Sequence, residues 1–236
     1  MLKELCVASV HINRSEIEYN LRHNIIARTM LSYTVFSLLL VAVLVNAEDY
    51  CKYPCGSQQN VGCNNTGAPA ETCVDYQDVP MTEELKQDFL DEHNFFRSLV
   101  ARGVGLIKDN ETAPTAAKMM KLKWDDELAY LASLNVKTCK MNHDCARTSH
   151  GWSGQNLYAF GTTGTINPQG AIKSVGAWYS ENKYTRKSDI EKLSTIYVDK
   201  KAIGHYTQVI WGNTDKVGCA VSTYSSGNLF CLPKWL

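Results

Sequence analysis

Nine cysteines are the residues of this chain with the plainest chemistry. Cys6 stands alone, and Cys51, Cys55, Cys63, Cys73, Cys139, Cys145, Cys219 and Cys231 follow at loose spacing. No Cys-x-x-Cys pair occurs, which removes zinc-ribbon and dithiol-redox readings. An even set of eight is better explained by disulfides formed in an oxidising compartment. A nucleophile is harder to find. His150-Gly151-Trp152-Ser153-Gly154 is a weak likeness of a nucleophile loop. It lacks the G-x-S-x-G elbow and an assigned acid, so His150 reads as a surface or cleft-rim residue. Asn64-Asn65-Thr66 and Asn110-Glu111-Thr112 carry the N-x-[ST] pattern that accepts an N-linked glycan. Lys plus Arg and Asp plus Glu number 24 each, with no basic run. Nothing therefore points to nucleic acid.

Thiols that oxidise must leave the cytosol, and the N-terminus offers a route. Residues 35–45 (VFSLLLVAVLV) form an apolar run, and Val45-Asn46-Ala47 ends it with residues suited to cleavage after Ala47. Residues 31–47 are uncharged but shorter than the roughly 20 apolar residues of a membrane span. A signal peptide is the preferred reading, and the membrane would hold the chain only if this segment stayed uncleaved. Met30 opens a better leader than Met1, so residues 1–29 read as an upstream extension. Removing 1–47 also removes Cys6.

Residues 48–80 then form a cysteine-rich extension broken by Gly56, Gly62, Gly67 and Pro69. The remaining domain, 81–236, alternates helical and strand patterns. Thr82 is a helix cap followed by Glu83 and Glu84, with Arg97 and Arg102 placed to complement the negative end and Gly103 to stop it. Leu85, Phe89, Phe96 and Val100 recur at helical spacing. A second helix starts at Asp125-Asp126-Glu127, with Leu128, Leu131, Asn135 and Cys139 on one side. A third starts at Asn167-Pro168, with Ile172, Val175 and Tyr179 as its stripe. Strands are expected over 156–160 and in a hairpin of 217–224 and 229–232, which Pro233 stops. Cys219 and Cys231 are each six residues from Ser225. They should lie roughly opposite one another across the hairpin, so Cys219–Cys231 is a disulfide expected from local geometry. The class is α+β in layers.

Five segments in order carry a family likeness: Glu92-His93-Asn94-Phe95-Phe96-Arg97; Trp124 with Glu127-Leu128-Ala129; Gly154-Gln155-Asn156-Leu157; Trp178-Tyr179-x-Glu181; and Gly204-His205-Tyr206-Thr207-Gln208-Val209-Ile210-Trp211. Together they resemble the CAP superfamily of venom allergens, plant pathogenesis-related proteins and cysteine-rich secretory proteins. Asp49-Tyr50-Cys51-Lys52-x-x-Cys55 narrows the likeness to insect antigen 5 proteins. The resemblance implies a disulfide-stapled three-layer α-β-α sandwich with a small antiparallel sheet. It also implies the pairs Cys51–Cys63, Cys55–Cys145 and Cys73–Cys139 beside Cys219–Cys231.

The same resemblance implies a cleft lined by His143, Gln155, Glu181 and His205. His143, Glu181 and His205 would suit zinc or another divalent cation with one position open to water. Gln155 stands where many relatives carry Glu. An amide cannot ionise, which weakens any hydrolytic reading. His93 with Asn94 is expected to be structural, and Trp124, Trp178 and Trp211 to be core. Relatives also bind sterols or fatty acids in apolar grooves. Where the family continues with Tyr-Gly-Pro-x-Gly-Asn, Cys231 is followed by Leu232-Pro233-Lys234-Trp235-Leu236, so the domain reads as C-terminally truncated. The expected function is a secreted, non-enzymatic, allergen- or toxin-like factor that requires no cofactor. Its partner would be an extracellular protein or a small apolar ligand. The alternatives are a metal-dependent hydrolase using His143, Glu181 and His205, or an interaction module anchored by residues 31–47.

Overall fold

The computed structural model describes residues 48–161, 167–225 and 228–235. Contacts divide the chain between Glu48 and Asp49, and the fold concerns the Asp49–Leu236 unit. The leader and anchor readings fall on 1–47, outside the described residues.

The sheet is built on a long hairpin of β9 (Lys216–Tyr224) and β10 (Asn228–Trp235), registered Asn228 to Tyr224 through Trp235 to Val217. β1 (Gln77–Asp78) and β2 (Lys123–Trp124) pair along the outer edge of β9, the second of them parallel. β5 (Gly154–Gln155) and β6 (Tyr158–Gly161) pair end to end along β10. Two small hairpins, β3 (Arg147–Thr148) with β4 (Gly151–Trp152) and β7 (Tyr197–Val198) with β8 (Lys201–Ala202), lie off this sheet.

The expectation that Pro233 ends the second strand is corrected. β10 runs through it to Trp235. Pro233 is registered to Cys219 on β9, while on the other side pairing stops at Cys231–Tyr158 and resumes at Lys234–Gln155. The proline thus occupies the break between β6 and β5, where a missing N–H costs no ladder bond.

Alternation along β9 separates two helical layers. Val217, Cys219 and Val221 belong to the main core with Leu85 and Phe89 of α1 (Glu83–Ala101), Val175 and Trp178 of α3 (Lys173–Tyr179) and, after the short α4 (Lys187–Glu191), Tyr206 and Val209 of α5 (Gly204–Val209). Ala220 faces the opposite way, against Ala132 and Val136 of α2 (Asp126–Val136). Gly218 lies in the same phase as Ala220. A Cβ there would sit 2.1 Å from the Ala129 nitrogen, so helix and sheet meet backbone to backbone. This is the three-layer α-β-α sandwich that the family likeness implies.

Local chemistry sets the helix starts. The Thr82 side chain accepts from the Leu85 nitrogen, Asp125 from Leu128, and Asn167 from Gln169 ahead of the 3₁₀ turn Pro168–Ile172. α2 ends at Val136, so Cys139 lies beyond it in a left-handed turn (φ 52°) and not on its face.

The buried stripe of α1 is Leu85, Phe89, His93, Arg97 and Val100. Arg102 donates to Ser98 at the helix end as expected, but Arg97 does not complement that end. It is 2% exposed, and its guanidinium donates to the carbonyls of Met120, Val209, Trp211 and Thr214. Asn94 pairs with both backbone groups of Leu122. His93 is buried beside Trp178, and its Nδ1 meets the Phe89 carbonyl. The His93-Asn94-x-x-Arg97 motif is therefore a structural stitch that ties α1 to the 120–122 and 209–214 segments.

The extension docks on the outer face of α2. Tyr50 packs with Leu131, Leu134 and Ala146, and buried Asn60 donates to the carbonyls of Tyr53 and Arg147. Cys51–Cys63, Cys55–Cys145 and Cys73–Cys139 are bonded. For the fourth pair, the backbone places Cys231 opposite Val221 and Cys219 opposite Pro233, so the two cysteines are diagonal neighbours in the hairpin and not directly opposed. The Cys231 side chain lies outside the described residues.

Candidate functional site

Four candidate side chains arrive from four segments. His143 precedes β3, Gln155 ends β5, Glu181 lies in the 3₁₀ turn Ser180–Tyr184 after α3, and His205 lies in the first turn of α5. The 3₁₀ turn is held from outside by Asn182, which donates to the Leu106 carbonyl at 2.7 Å, and by Lys108, whose nitrogen donates to Thr185 at 2.9 Å. His205 is fixed from below by ring contact with Trp178 (centroids 6.4 Å apart) and by Asn156, which donates to the His205 carbonyl. Trp178 Nε1 in turn donates to the Leu157 carbonyl. The Gly154-Gln155-Asn156-Leu157 motif thus links the sheet edge to α3 and α5. Gly154 completes it, because a Cβ there would collide with the Gln208 side chain.

Within this frame the four residues form two pairs. Glu181 Oε1 is 2.8 Å from His205 Nδ1, while Oε2 accepts from the backbone nitrogens of His205 (2.9 Å) and Tyr206 (3.2 Å). Its side chain is 15% exposed. The carboxylate both orients the imidazole and satisfies the start of α5, where Ile203 supplies no side-chain cap. Gln155 Oε1 is 2.9 Å from His143 Nδ1 and accepts from the Asp144 nitrogen at 3.2 Å. Gln155 Nε2 donates to Asp144 Oδ1 at 3.0 Å, and Asp144 Oδ2 accepts from Asn135.

These partners decide the tautomers. The Asp144 backbone donor and carboxylate acceptor fix which end of the Gln155 amide is oxygen. Both ring Nδ1 atoms therefore face acceptors and must carry the proton. Neutral His143 and His205 then keep their Nε2 lone pairs uncommitted by these contacts.

The expected three-ligand set is not assembled. Among the described residues no group of three or more His, Cys, Asp or Glu is gathered as a metal-holding cluster. The physical reason is the commitment of Glu181. Its two oxygens already serve three donors of its own chain, so it acts on His205 and not beside it. His143 is exposed and paired with an amide. His143 and His205 each present one imidazole Nε2 with an oriented partner behind the ring, the relation common around ligating histidines.

Sequence reasoning missed Asp144, whose position directly after His143 was the available signal. Trp178 is core at 1% exposure and Trp124 is partly buried, but Trp211 is 48% exposed, against the expectation that all three are core. His150 is exposed as expected. A cavity of about 630 Å³ has Val100, Met119, Ile190, Leu193, Ile210 and Trp211 in its wall, and none of the four cleft residues lines it.

The chain matches the family model described as "CAP: Cysteine-rich secretory protein family" over residues 90–232. It is 38% identical over 210 residues to "Antigen 5 like allergen Cul n 1" of Culicoides nubeculosus, covering 85% of this chain and 92% of that protein. It is 32% identical over 203 residues to "Venom allergen 5" of Vespula maculifrons, covering 83% and 87%. Among solved structures, Na-ASP-1 superposes with a TM-score of 0.58 at 29% identity over 71% of this chain, which spans only 41% of that longer chain. NaASP2, crystallised with Zn²⁺, gives a TM-score of 0.52 at 25% identity, covering 71% and 83%.

Proposed function

The chain belongs to the CAP, or cysteine-rich secretory protein, family, and on that premise we propose that it is a secreted, non-enzymatic extracellular factor of the antigen 5 allergen type. One observation carries this reading. The only carboxylate among the four cleft residues accepts from three donors of its own chain, and the fourth residue is an amide. General acid–base work needs a group free to take a proton from substrate. Glu181 and Gln155 are committed to their own chain, and among the described residues no serine, threonine or cysteine is hydrogen-bonded to the free Nε2 of either histidine as an activated nucleophile would be. Three disulfides and the allergen relatives support export. No helix of the described residues is long and apolar enough to cross a membrane. The partner is an extracellular protein or a small apolar ligand, and the 630 Å³ cavity offers the latter a space of suitable size.

The test is turnover that depends on the histidines. Purified chain and its His143→Ala/His205→Ala variant should be equally inactive on peptide, ester and phosphoester substrates, with and without added zinc. Histidine-dependent hydrolysis would overturn the non-enzymatic reading.

A second reading concerns a cation. The Nδ1–H tautomers favour it, because each leaves an Nε2 lone pair on an oriented ring. His143 and His205 would hold the ion, and Glu181 and Gln155 would orient them. Such a site is not needed for folding, so a chelator should leave the unfolding midpoint unchanged. Zinc calorimetry should lose its signal in the double histidine variant. An unchanged affinity there would remove the site.

A further inference from the structure

We propose that Asn64 and Asn110 are N-glycosylation sites, occupied on the exported chain. The inference rests on the secretory reading above. Each begins an N-x-[ST] triplet, and in both triplets all three residues are exposed. Exposure of a triplet is not guaranteed by sequence, and the other asparagines show the contrast. Asn60, Asn94, Asn135, Asn156 and Asn182 donate to carbonyls and hold the fold together. The Asn64 and Asn110 amides meet no hydrogen-bond partner among the described residues.

Both acceptors stand in left-handed turn conformations, φ 54° at Asn64 and 60° at Asn110, which asparagine tolerates better than most residues. The turns are closed by other groups. Asn65 donates to the Val61 carbonyl and accepts from the Gly67 nitrogen. Around Asn110, Ile107 donates to the Glu111 carbonyl and Glu111 to Lys108, and Leu106 bridges to Thr112. A glycan on either asparagine therefore displaces no existing bond. The loop of Asn110 also carries Val104 and Leu106, which are 53% and 52% exposed. A sugar there would screen apolar surface that otherwise faces water.

The step is a group transfer from a lipid-diphosphate-linked oligosaccharide. The Asn Nδ2 attacks the anomeric carbon, and an N–C bond forms. The anomeric C–O bond to the diphosphate breaks, its electron pair leaves with the lipid diphosphate, and the amide proton passes to a base of the transferase. No group is oxidised or reduced.

The experiment is full-chain expression in insect cells, followed by peptide mapping of the medium before and after peptide N-glycosidase. The enzyme leaves aspartate at each formerly glycosylated asparagine. Aspartate should appear at positions 64 and 110. Asn64→Gln and Asn110→Gln should each remove one glycan, and Thr66→Ala and Thr112→Ala should do the same with the acceptor intact. Mapping also keeps a glycan at Asn13-Arg14-Ser15, outside the described residues, from being miscounted. A secreted, disulfide-bonded chain with both asparagines unmodified would overturn the proposal while leaving the secretory reading in place. Modification at one position alone would overturn it at the other. If the full chain is instead retained in the cytosol, the secretory reading fails, and the same chain behind a foreign leader decides the glycans: modification there supports the sites and bare asparagines refute them.

Discussion

Replacing Arg97 should damage the fold more than any other single polar change in α1. Its guanidinium makes five hydrogen bonds: Nε and Nη2 to Met120 at 3.1 and 2.6 Å, Nη1 to Val209 and Trp211 at 2.9 and 2.8 Å, and Nη2 to Thr214 at 2.8 Å. That uses every N–H a guanidinium has. No carboxylate is among the partners, and burial pulls the group down to about 10. The charge is therefore held by carbonyl dipoles alone. Arg97→Lys offers three donors at most, so at least two bonds to a charged donor are lost. At about 1.5 kcal/mol each, the lower end for such bonds, the cost is about 3 kcal/mol. Arg97→Ala leaves four carbonyls to water or to nothing and should cost about 4–5 kcal/mol, in the range reserved for broken buried networks. Urea unfolding with disulfides intact measures both. Thermal midpoints should fall by about 6–12 °C for Arg97→Lys, using about 2–4 °C per kcal/mol for a domain of this size. An Arg97→Lys change within about 0.5 kcal/mol of wild type, the scatter of surface substitutions, would refute the reasoning.

Burial pushes His93 down to about 3 from an ordinary value of 6.5. The unfolded chain then binds more protons than the folded one between those values, so this contribution is whole above pH 6.5 and is lost as pH falls towards 3. His93→Gln should be less stable at neutral pH, with a shallower loss on acidification, read from unfolding midpoints across that window; an unchanged slope would contradict the assignment. Removing Cys55–Cys145, which closes a separation of 90 residues, should cost about 4–5 kcal/mol on the chain-entropy account. The Cys55→Ala/Cys145→Ala variant tests this by denaturation, and a loss below about 1 kcal/mol would mean that the docked extension supplies the restraint by itself.

Much of this was legible from residue order, because periodicity and capping act locally. Thr82, Asp125 and Asn167 cap as their types dictate, and the alternation in β9 sorts its residues between two layers. What escaped depends on the convergence of distant backbone. Arg97 looks like a helix-end charge until the 120 and 209–214 carbonyls are brought around it. Pro233 looks like a strand stop until the break between β5 and β6 is seen opposite it. At the site, the family resemblance supplied four side chains, and the fold divides them into two hydrogen-bonded pairs. Glu181 looks like a ligand in sequence, and only the uncapped start of α5 and the approach of His205 reveal where its lone pairs go.

The central claim is that the cleft is two self-satisfied pairs, each holding an imidazole as its Nδ1–H tautomer. Two-bond ¹H–¹⁵N correlation spectra of the folded chain test it most directly. The account predicts Nδ1–H patterns for both His143 and His205, with His205 losing that pattern in Glu181→Ala and His143 losing it in Gln155→Ala. Nε2–H tautomers in the wild-type chain would contradict it.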